Sequence, residues 1–555
     1  MKRLLLSLSA LIILCHFTEA QHTVGLLSYQ PAKAFDGYNL LYPHRQSNCY
    51  LLDNCGEIVH VWEDDANWRP GNSAYIMPNG DLVKTKRPAS VAGNPIWAGG
   101  GGGIVERRDW DNNLLWSFEM NDSLHRLHHD ISVMPNGNIL MIAWERKTLD
   151  EVLQAGFDTS LLVNDIIWPD MVLEVSEATG EIVWEWHSWD HLIQDFDDTK
   201  DNFGDVAAHP ELIDANWDTH SINSSWMHTN SIDYDEVNDH VLLNVPRFNE
   251  VWIIDHSTTT EQAAGHTGGF GGAGGDLLYR WGNPAAYRAG DSTDQKLFFQ
   301  HDAHYLDDFV DQAHPHFGKV GVFNNRLGPD FSGANIFDPP FDMYEGNFPM
   351  TGNVWGPEDF DWSFTYPGDP TVLYSNIISS MQLLPNGNYL ICSGRHGYSF
   401  EVTASDEIVW EYVTPLKGGS PATQGDTLAI NENLTFRLRR YPTGYPAFEG
   451  RDLSQKGWIE LEPDSTFCDE ISPAGEKFSD YNLRIFPNPA NRMLMIEWQA
   501  GLYADVEVFD LLGRKMVKTM HLSGGRKYLD TSLWQPGLYF VRINGSESAK
   551  VLIAH

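Results

Sequence analysis

The sequence predicts an all-β protein: a six-bladed β-propeller followed by a small Ig-like antiparallel β-sandwich. One strand motif recurs about six times, and the character of the sequence changes near Phe478. Hydrophobic residues make up 42% of the 555 residues and charged residues only 20%, so the chain has ample material for a core and is not intrinsically disordered.

The recurring motif begins with turn residues and continues with β-branched or aromatic residues in partial alternation, which is typical of a strand. Its copies are Gly56–Glu63, Asn112–Glu119, Gly180–His187, Gly275–Gly282, Asp361–Pro367 and Asp406–Val413. Repeated four-strand units of this size predict a propeller of six blades. A pair of β-sandwiches is the alternative, but a sandwich does not require the same motif six times.

A second repeated element contains the triplet Pro-Asn-Gly, at residues 78–80, 135–137 and 385–387. Asn and Gly tolerate positive φ, so the triplet predicts a hairpin turn between two strands. Residues 231–243 and 302–324 are degenerate copies that lack the triplet. The insertions at residues 189–230 and 265–275 are expected on the faces of the propeller.

The predicted domains are a signal peptide at residues 1–20, the propeller at 21–467, a linker at 468–477 and a second domain at 478–555. Lys2 and Arg3 precede an apolar run that ends at Cys15, and a small residue, Ala20, offers a cleavage site. A lipoprotein signal at Cys15 is the alternative, but bulky Leu14 precedes it. No later stretch is long and apolar enough to predict a transmembrane segment.

Four cysteines follow the predicted cleavage point. Cys49 and Cys55 are six residues apart and are candidates for a disulfide in an oxidising compartment. Cys392 and Cys468 are expected to be free or packed.

The chain is strongly acidic: 37 basic and 76 acidic residues give a formal net charge of −39. Such a charge argues against binding nucleic acid or an anionic membrane. An anionic ligand therefore requires a local basic site.

Aligning the repeats on their turns places three histidines together. When Asp302 is aligned with Asp130, His301 falls on His129, and His228 falls within one residue of the same position. The innermost strands of a propeller line its central channel, so these positions are expected to face a common axis. Most of the other histidines are expected to be packed or at the surface.

The same alignment places two arginines at one repeat position. Seven residues beyond Asn388 is Arg395, and the equivalent position in another copy is Arg247, whereas a third copy has Glu145 there. Guanidinium and imidazole donors together suit a tetrahedral oxyanion. The sequence therefore predicts a local anion site in the channel.

Metal binding is the rival chemistry, with ligands available in His128–Asp130, His301–His304 and His314–His316. None has a spacing typical of a zinc site, and the chain contains no P-loop, nucleophile elbow or dinucleotide motif. No cofactor-binding or metal-binding residue is assigned. The glycine runs at residues 99–103 and 268–275 lack the strand-to-helix context of a phosphate cradle and are interpreted as flexible loops.

The last 78 residues resemble the C-terminal sorting domain of the type IX secretion system. The resemblance rests on four blocks: Phe486–Ala490, Val508–Met516, Pro536–Ile543 and Lys550–Ala554. It implies export across the outer membrane of a Gram-negative cell, by way of the periplasm, to the surface or the medium. The type IX machinery is then a partner through residues 478–555. A carbohydrate-binding or plain Ig-like module is the alternative.

Most of the region from Gln21 to about Glu460 resembles the arylsulfate sulfotransferase family. The matching blocks are Gly37–Pro43, His128–Arg146, Trp168–Val175, Gly180–Val206, Ser225–Asp235, Phe248–Gly269, Leu277–Gly290 and Gln300–His304. The resemblance implies a six-bladed propeller that transfers a sulfuryl group from a phenolic sulfate donor to a phenolic acceptor without a nucleotide. The absence of a P-loop agrees with it.

The resemblance also implies roles for individual residues. His301 matches the family's nucleophilic histidine, His228 and Asn230 match its histidine-asparagine pair, and His129 matches the remaining channel histidine. His128 competes with His129 for that role.

Arg247 or Arg395 would bind the sulfate, although the segment around Arg247 departs from the family pattern by about one residue. The chemistry implied is a ping-pong reaction through sulfohistidine. The alternative is a non-catalytic surface propeller that binds sulfated or acidic ligands.

Overall fold

The computed structural model describes residues 22–463 except 92, 165 and 218–223, and in the C-terminal part residues 468, 484–497, 504–510, 514–522, 526–543 and 547–554. The predicted signal peptide and all of the predicted linker except Cys468 lie outside the described residues. The chain divides into two compact units, Met1–Ser28 with Phe35–Pro463 and Tyr29–Ala34 with Asp464–His555. With 41% strand and 7% helix the protein is all-β, as predicted.

The first unit contains six sheets of four or five strands within its described residues, and the sheets are numbered here along the chain. Sheet 1 has the strand order β31-β2-β3-β4, and sheet 2 the order β5-β6-β7-β8. Their strands are β2 (Gly37–Pro43), β3 (Cys49–Leu52), β4 (Ile58–Trp62), β31 (Thr435–Pro442), β5 (Trp68–Ile76), β6 (Leu82–Pro88), β7 (Ile104–Arg108) and β8 (Leu114–Glu119).

Sheets 3 and 4 follow the same antiparallel plan, with the orders β9-β10-β11-β12 and β15-β16-β17-β18. Their strands are β9 (His125–Val133), β10 (Ile139–Glu145), β11 (Asp170–Val175), β12 (Ile182–His187), β15 (Ser231–Asp235), β16 (His240–Val245), β17 (Glu250–Asp255) and β18 (Tyr279–Trp281).

Sheet 5 has the order β19-β20-β21-β24, and sheet 6 the order β25-β26-β27-β28-β1. Their strands are β19 (His301–Tyr305), β20 (Val320–Asn324), β21 (Gly333–Phe337), β24 (Trp362–Phe364), β25 (Ser380–Leu383), β26 (Tyr389–Ser393), β27 (Tyr398–Val402), β28 (Ile408–Val413) and β1 (Gly25–Tyr29).

The insertions between the strands carry short elements. Helix α1, at Leu149–Gln154, begins with a capping box between Thr148 and Glu151. The elements are helices α1 (Leu149–Gln154) and α2 (Thr260–Ala263), strands β13 (Leu192–Ile193), β14 (Ile213–Asp214), β22 (Met350–Thr351), β23 (Val354–Trp355), β29 (Leu416–Lys417) and β30 (Ser420–Pro421), and 3₁₀ helices at Ser188–His191, Val206–Ala208, Pro284–Tyr287, Pro370–Leu373, Gly394–His396 and Pro446–Phe448.

Each of the six copies of the sequence motif coincides with the fourth strand of one sheet. The first strands of the sheets are β31, β5, β9, β15, β19 and β25, and the fourth strands are β4, β8, β12, β18, β24 and β28. The Pro-Asn-Gly triplets connect the first and second strands of sheets 2, 3 and 6. The first strands contact one another in the order β5, β9, β15, β19, β25 and β31, and β31 contacts β5. The first strands of all six sheets therefore lie next to one another in a cyclic order.

Sheet 1 joins distant parts of the chain, because β31 pairs antiparallel with β2 from Gly37↔Pro442 to Pro43↔Thr435. Four of the six first strands, β5, β9, β19 and β31, shift register against their neighbouring strand, and the shifts in β9 and β19 concern the predicted site. The register of β9 against β10 shifts opposite Met141 and Ala143, and that of β19 against β20 shifts between His301 and His304. Bulges re-aim side chains locally, and both lie next to predicted site histidines.

The cysteines correct one prediction. Cys49 lies on β3 with its side chain in the core as a free thiol, and burial raises its pKa to about 12. Cys55 is disulfide-bonded while Cys49 is free, so the expected pairing of Cys49 with Cys55 is wrong. Cys468 is also disulfide-bonded, so the expectation that it is free or packed is wrong too. Cys392 is a free buried thiol.

The second unit contains two antiparallel sheets among its described residues, with orders β32-β33-β36 and β35-β34-β37-β38. Side chains of both sheets, including Leu494 and Val541, form one hydrophobic core. The strands are β32 (Arg484–Phe486), β33 (Met493–Glu497), β34 (Ala504–Asp510), β35 (Lys515–Leu522), β36 (Arg526–Asp530), β37 (Gly537–Ile543) and β38 (Glu547–Ile553). Within the described part of the chain, no helix is long and apolar enough to span a membrane.

Candidate active site

His129, His228 and His301 lie on or directly before the first strands of three successive sheets. His129 is on β9, His228 precedes β15 by three residues, and His301 begins β19. The His129 and His228 rings are 4.7 Å apart, centroid to centroid, in an edge-to-face arrangement. The charge that His301 carries when protonated lowers the pKa of both other histidines, and such an effect requires the rings to be close. The structure therefore brings the three histidines together.

Asn325 determines the tautomer of His301. The Asn325 Nδ2 group donates to the carbonyl oxygens of Ser375 at 2.6 Å and Ile378 at 2.7 Å, which leaves its Oδ1 atom 2.8 Å from His301 Nδ1. Since Oδ1 is only an acceptor, Nδ1 of His301 carries the hydrogen. The Nε2 atom of the neutral ring then holds the lone pair that a nucleophile needs.

His128 contacts both His129 and a carboxylate. Asp170 Oδ1 lies 3.4 Å from His128 Nε2 without forming a hydrogen bond, and the charge of this carboxylate favours a hydrogen on that nitrogen. The Nδ1 atoms of His128 and His129 are 2.8 Å apart, so His128 Nδ1 accepts and His129 Nδ1 donates. This chain leaves the Nε2 atom of His129 as an acceptor.

Two of the histidines have strained backbones. The φ angles are 51° at His129 and 62° at His228, in the left-handed region that residues with a Cβ rarely adopt. Next to His301 the strained residue is Asp302, with φ of 61°. Strain of this kind persists only where surrounding contacts enforce it, and it is often found at functional sites. A hydrogen bond of 2.7 Å between Ser225 Oγ and His228 Nδ1 is one such contact.

Burial keeps all three imidazoles uncharged. It lowers the pKa of His301 to about 4, although the hydrogen bond to Asn325 opposes the shift. Burial also lowers the pKa of His129 and of His228 well below the ordinary value. Repulsion between the protonated forms of neighbouring histidines lowers both pKa values further, and the charge of Arg247 does the same for His228. Neutral imidazoles are available as nucleophiles and bases at pH 7.

Asn230 acts on the backbone next to His301. Its Nδ2 group donates to the Gln300 carbonyl oxygen at 2.9 Å, and so does the Nδ2 group of Asn244, which also donates to Asn230 Oδ1 at 2.5 Å. These hydrogen bonds of Asn230 therefore hold the start of β19 in place.

Arg247 follows β16 and Arg395 follows β26, at equivalent ends of the second strands, as the repeat predicts. Arg247 is exposed but close enough to His228 to lower its pKa. Arg395 donates from Nε to Asn431 Oδ1 at 2.9 Å and from Nη1 to Asn376 Oδ1 at 2.5 Å. Among the described residues, these side-chain hydrogen bonds of Arg395 are with amides and not with the three histidines.

Arg326 is a further cation near the site that no sequence pattern indicates. Its charge lowers the pKa of His301, and its guanidinium lies 3.8 Å from the ring centroid of Phe299. Arg326 Nε donates to the Asn376 carbonyl oxygen at 3.2 Å, so Arg326 and Arg395 share one neighbour. Its position one residue after Asn325 marks no motif, and only the fold places it near His301.

The glycine run at residues 99–103 contacts the site, although it is interpreted above as a flexible loop. His129 donates its backbone N–H to the Gly100 carbonyl oxygen at 2.8 Å, and a Cβ on Gly100 would overlap the His129 ring. Gly100 also has φ of +81°, which favours glycine. The run is therefore a close-packed wall of the site.

Arg437 is a second residue without a sequence signal. Its Nη2 atom lies 2.8 Å from Asp130 Oδ2 and 2.5 Å from Asp302 Oδ1, and the side chain is 9% exposed. Asp130 follows His129, and Asp302 follows His301, so one guanidinium links the strands that carry two of the histidines. The three charged residues also line a cavity of about 190 Å³ that contains His304.

Of the rival metal-ligand sets, none forms a three-residue group in the described chain. His304 Nδ1 lies 2.8 Å from the backbone oxygen of Asp302, and His316 Nδ1 lies 3.0 Å from the hydroxyl of Tyr389. His128 is engaged with His129 and Asp170, as described above. The one such group that the described residues form consists of His191, His266 and Asp276.

Repeated antiparallel sheets and a buried cluster of neutral histidines define the class: an all-β protein with an imidazole-based site. Residues 38–332 match the arylsulfotransferase (ASST) family, and residues 484–554 match the secretion system C-terminal sorting domain. The chain belongs to the arylsulfotransferase family and carries a type IX secretion sorting domain, as the sequence blocks predicted. The sorting domain indicates export to the cell surface or secretion.

No curated protein matches the chain. A solved protein of unknown function from Bacteroides caccae is 12% identical, with 68% of this chain and 93% of that chain covered and a TM-score of 0.36. A streptogramin B lyase is 10% identical, with 76% and 94% covered and a TM-score of 0.34. Virginiamycin B lyase from Staphylococcus aureus is 9% identical, with 72% and 92% covered and a TM-score of 0.32. Likenesses at this level carry no argument about function.

Proposed function

We propose that the protein is an exported arylsulfate sulfotransferase that moves a sulfuryl group from a phenolic sulfate ester to a phenol by a ping-pong mechanism, without a nucleotide. Membership of the family supports sulfuryl transfer. The observation that carries the mechanism is the His301 Nδ1 to Asn325 Oδ1 hydrogen bond of 2.8 Å, because it leaves the Nε2 lone pair of a neutral imidazole for attack.

In the first half-reaction, the Nε2 lone pair of His301 forms a bond to sulfur while the bond between sulfur and the phenolic oxygen breaks. The electron pair of the broken bond stays on that oxygen, and His301 becomes a sulfohistidine. The leaving phenolate takes a proton from a channel imidazole. In the second half-reaction, an acceptor phenol gives its proton to a channel imidazole, and its oxygen displaces His301 from sulfur.

His129 and His228 suit the proton transfers. The charge of Asp170 favours the His128 tautomer whose Nδ1 accepts from His129, and His129 Nε2 is then able to accept a proton from the acceptor phenol. An aryl sulfate carries a negative charge, which raises the pKa of nearby imidazoles and so favours their protonated form. Arg247, Arg326 and Arg395 are the candidates for holding charge on the sulfuryl oxygens.

We also propose that the first unit is a closed six-bladed β-propeller and that the second unit is an Ig-like sandwich. The cyclic contact order of the six first strands and the pairing of β31 with β2 support closure. Two sheets around one core support the sandwich.

The protein reaches its destination, in this proposal, through a cleaved signal peptide at residues 1–20 and then the periplasm. The type IX machinery recognises the C-terminal domain, which is removed or exchanged for a surface anchor.

Incubation of the purified protein with a chromogenic aryl sulfate, with and without added phenol, tests the activity. Phenol-dependent release of the chromophore together with a sulfated acceptor supports transfer. Release without an acceptor indicates a sulfatase, and no release with measurable binding of the donor supports the non-catalytic alternative.

Substitutions of His301, Arg247 and Arg395 distinguish the nucleophile from the residues that hold charge. His301→Ala is expected to abolish both donor cleavage and transfer, because it removes the covalent pathway. Arg247→Ala or Arg395→Ala is expected to slow donor cleavage by about two to three orders of magnitude, equivalent to about 3 to 4 kcal/mol, because one charge-stabilising donor is lost.

Mass spectrometry after incubation with donor alone is expected to find one acid-labile sulfuryl group on the peptide that contains Gln300–His304. An active His301→Ala protein, or an adduct on His228 or His129, would assign the nucleophile to another residue. A bound transition metal whose removal stops the reaction would contradict the mechanism.

A further inference from the structure

We propose that His191, His266 and Asp276 form a binding site for a divalent transition metal, with zinc as the best fit to the ligand set. His191 ends the 3₁₀ helix Ser188–His191, whereas His266 and Asp276 lie in the glycine-rich segment that follows α2. One ligand atom from each of the three residues lies within 4.8 Å of the other two. Imidazole nitrogen and carboxylate oxygen are common zinc ligands.

The hydrogen-bonding arrangement of His191 carries the proposal. Its Nε2 atom lies 2.8 Å from the Ala263 carbonyl oxygen, which can only accept, so Nε2 bears a hydrogen. In a neutral ring, Nδ1 then carries a lone pair, yet it lies 2.8 Å from Asp276 Oδ1, which is also an acceptor. Two acceptors at this distance repel each other unless a proton or a metal cation is shared between them.

The surroundings favour the metal over the proton. A metal-binding histidine usually donates its second ring N–H to a backbone carbonyl or carboxylate, as His191 does to Ala263. His266 Nδ1 lies 2.8 Å from the same Asp276 oxygen, so two imidazole nitrogens converge on one carboxylate oxygen. Two ligands of a tetrahedral zinc ion are about 3.3 Å apart, so each pair would open by a few tenths of an ångström.

The burial of the three ligands fits a site at the protein surface. The His191 side chain is 0% exposed and that of Asp276 8%, whereas that of His266 is 60% exposed. The buried pair forms a pre-organised half of the site, and the exposed His266 side leaves room for water as a further ligand. This arrangement also gives the metal a path of entry.

The glycine-rich loop closes around these ligands. A Cβ on Gly275 would overlap the Ala263 carbonyl oxygen and crowd His191 Nε2, so only glycine fits there. Trp186 stacks on the His191 ring at 5.7 Å and donates from Nε1 to the Gly275 carbonyl oxygen at 2.7 Å. A metal ion would tie the loop at residues 265–275 to the 3₁₀ helix.

Zinc titration of the full-length, EDTA-treated protein tests the proposal, with calorimetry for affinity and elemental analysis for stoichiometry. His266→Ala removes an exposed ligand without disturbing the core, and Asp276→Asn keeps the shape of the carboxylate. Each is expected to weaken zinc binding by more than about tenfold. His209→Ala is the matched control, because His209 is half-exposed and pairs with Glu211 at 2.9 Å.

Zinc is also expected to raise the midpoint of thermal unfolding of the wild type and His209→Ala, and not that of His266→Ala. His301→Ala is expected to retain the ion, which separates this site from the histidine channel. The proposal is overturned if the wild type takes up no zinc, since His191 and Asp276 then form a protonated pair. It is also overturned if both ligand variants bind zinc as tightly as the wild type.

Discussion

Asn325 Oδ1 accepts a hydrogen bond of 2.8 Å from His301 Nδ1, and both residues are buried. Because the Asn325 Nδ2 group is committed to two carbonyl oxygens, the amide cannot turn over without losing those bonds. Asn325 is therefore a positioning residue: it decides which nitrogen of His301 is available.

Asn325→Asp is expected to place a carboxylate against His301 Nδ1, raise the pKa of His301 and shift the acid limb of donor cleavage to higher pH. Asn325→Ala is expected to lower the rate by about 10- to 100-fold, because the ring loses its orientation. Full pH profiles with a chromogenic aryl sulfate measure both effects. An unshifted profile in the Asp variant would show that Asn325 is merely structural.

The pKa of His301, lowered to about 4, predicts two pH dependences. In the proposed mechanism donor cleavage requires the neutral ring, so the rate of cleavage is expected to fall as the pH drops through about 4. The folded protein also binds fewer protons at His301 than the unfolded chain, whose histidine titrates near 6.5. The free energy of unfolding is therefore expected to fall as the pH drops from about 6.5 to about 4.

Urea unfolding across this pH range measures the second dependence. His301→Gln is expected to reduce the slope of the free energy of unfolding against pH by up to about 1.4 kcal/mol per pH unit, which is the contribution of one proton. Other buried histidines, such as His44, with a pKa lowered to about 4, account for the remaining slope. An unchanged slope in His301→Gln would mean that His301 is not buried as a neutral ring.

Gly100→Ala is expected to displace the His129 ring and lower the rate of transfer by at least about tenfold, because the new Cβ overlaps the imidazole and the φ of +81° disfavours alanine. Gly99→Ala is the matched control, since a Cβ there meets nothing within 4 Å. Steady-state rates for the two neighbouring variants are compared. Equal activity of both would contradict a close packing of this loop on His129.

Arg437→Met is expected to destabilise the protein by about 3 to 5 kcal/mol, because Asp130 and Asp302 are left buried without their common partner. Lys417→Met is the control: it removes a partly exposed ion pair with Asp426 and is expected to lower the free energy of unfolding by no more than about 1 kcal/mol. Chemical unfolding measures both. A loss below about 1 kcal/mol for Arg437→Met would show that the bridge contributes little.

Deletion of residues 478–555 is expected to retain the protein in the periplasm, because the proposed export route uses the sorting domain as the signal for the outer-membrane step. The activity of the shortened protein in a periplasmic extract is expected to equal that of the full chain. Cell fractionation with surface proteolysis follows the location. Surface display of the shortened chain would refute the role of this domain.

The sequence revealed the local features well. The six motif copies coincide with the fourth strands of six sheets, and the Pro-Asn-Gly triplets lie at hairpin turns. Strand alternation and turn residues depend on neighbours in the chain, so they can be seen without a structure. The repeat also placed His129, His228 and His301 at corresponding positions, because equivalent positions of similar units face the same direction.

Contacts between residues distant in the chain were decided only by the tertiary structure. Examples are the pairing of β31 with β2, the bonding state of Cys49 and Cys55, and the bridge of Arg437 to Asp130 and Asp302. The availability of His301 Nε2 also depends on where Asn325 directs its amide. Residue types and periodicity determine which groups a strand presents, but the tautomer and charge of an imidazole depend on its partners and its burial, which exist only once the sheets have packed together.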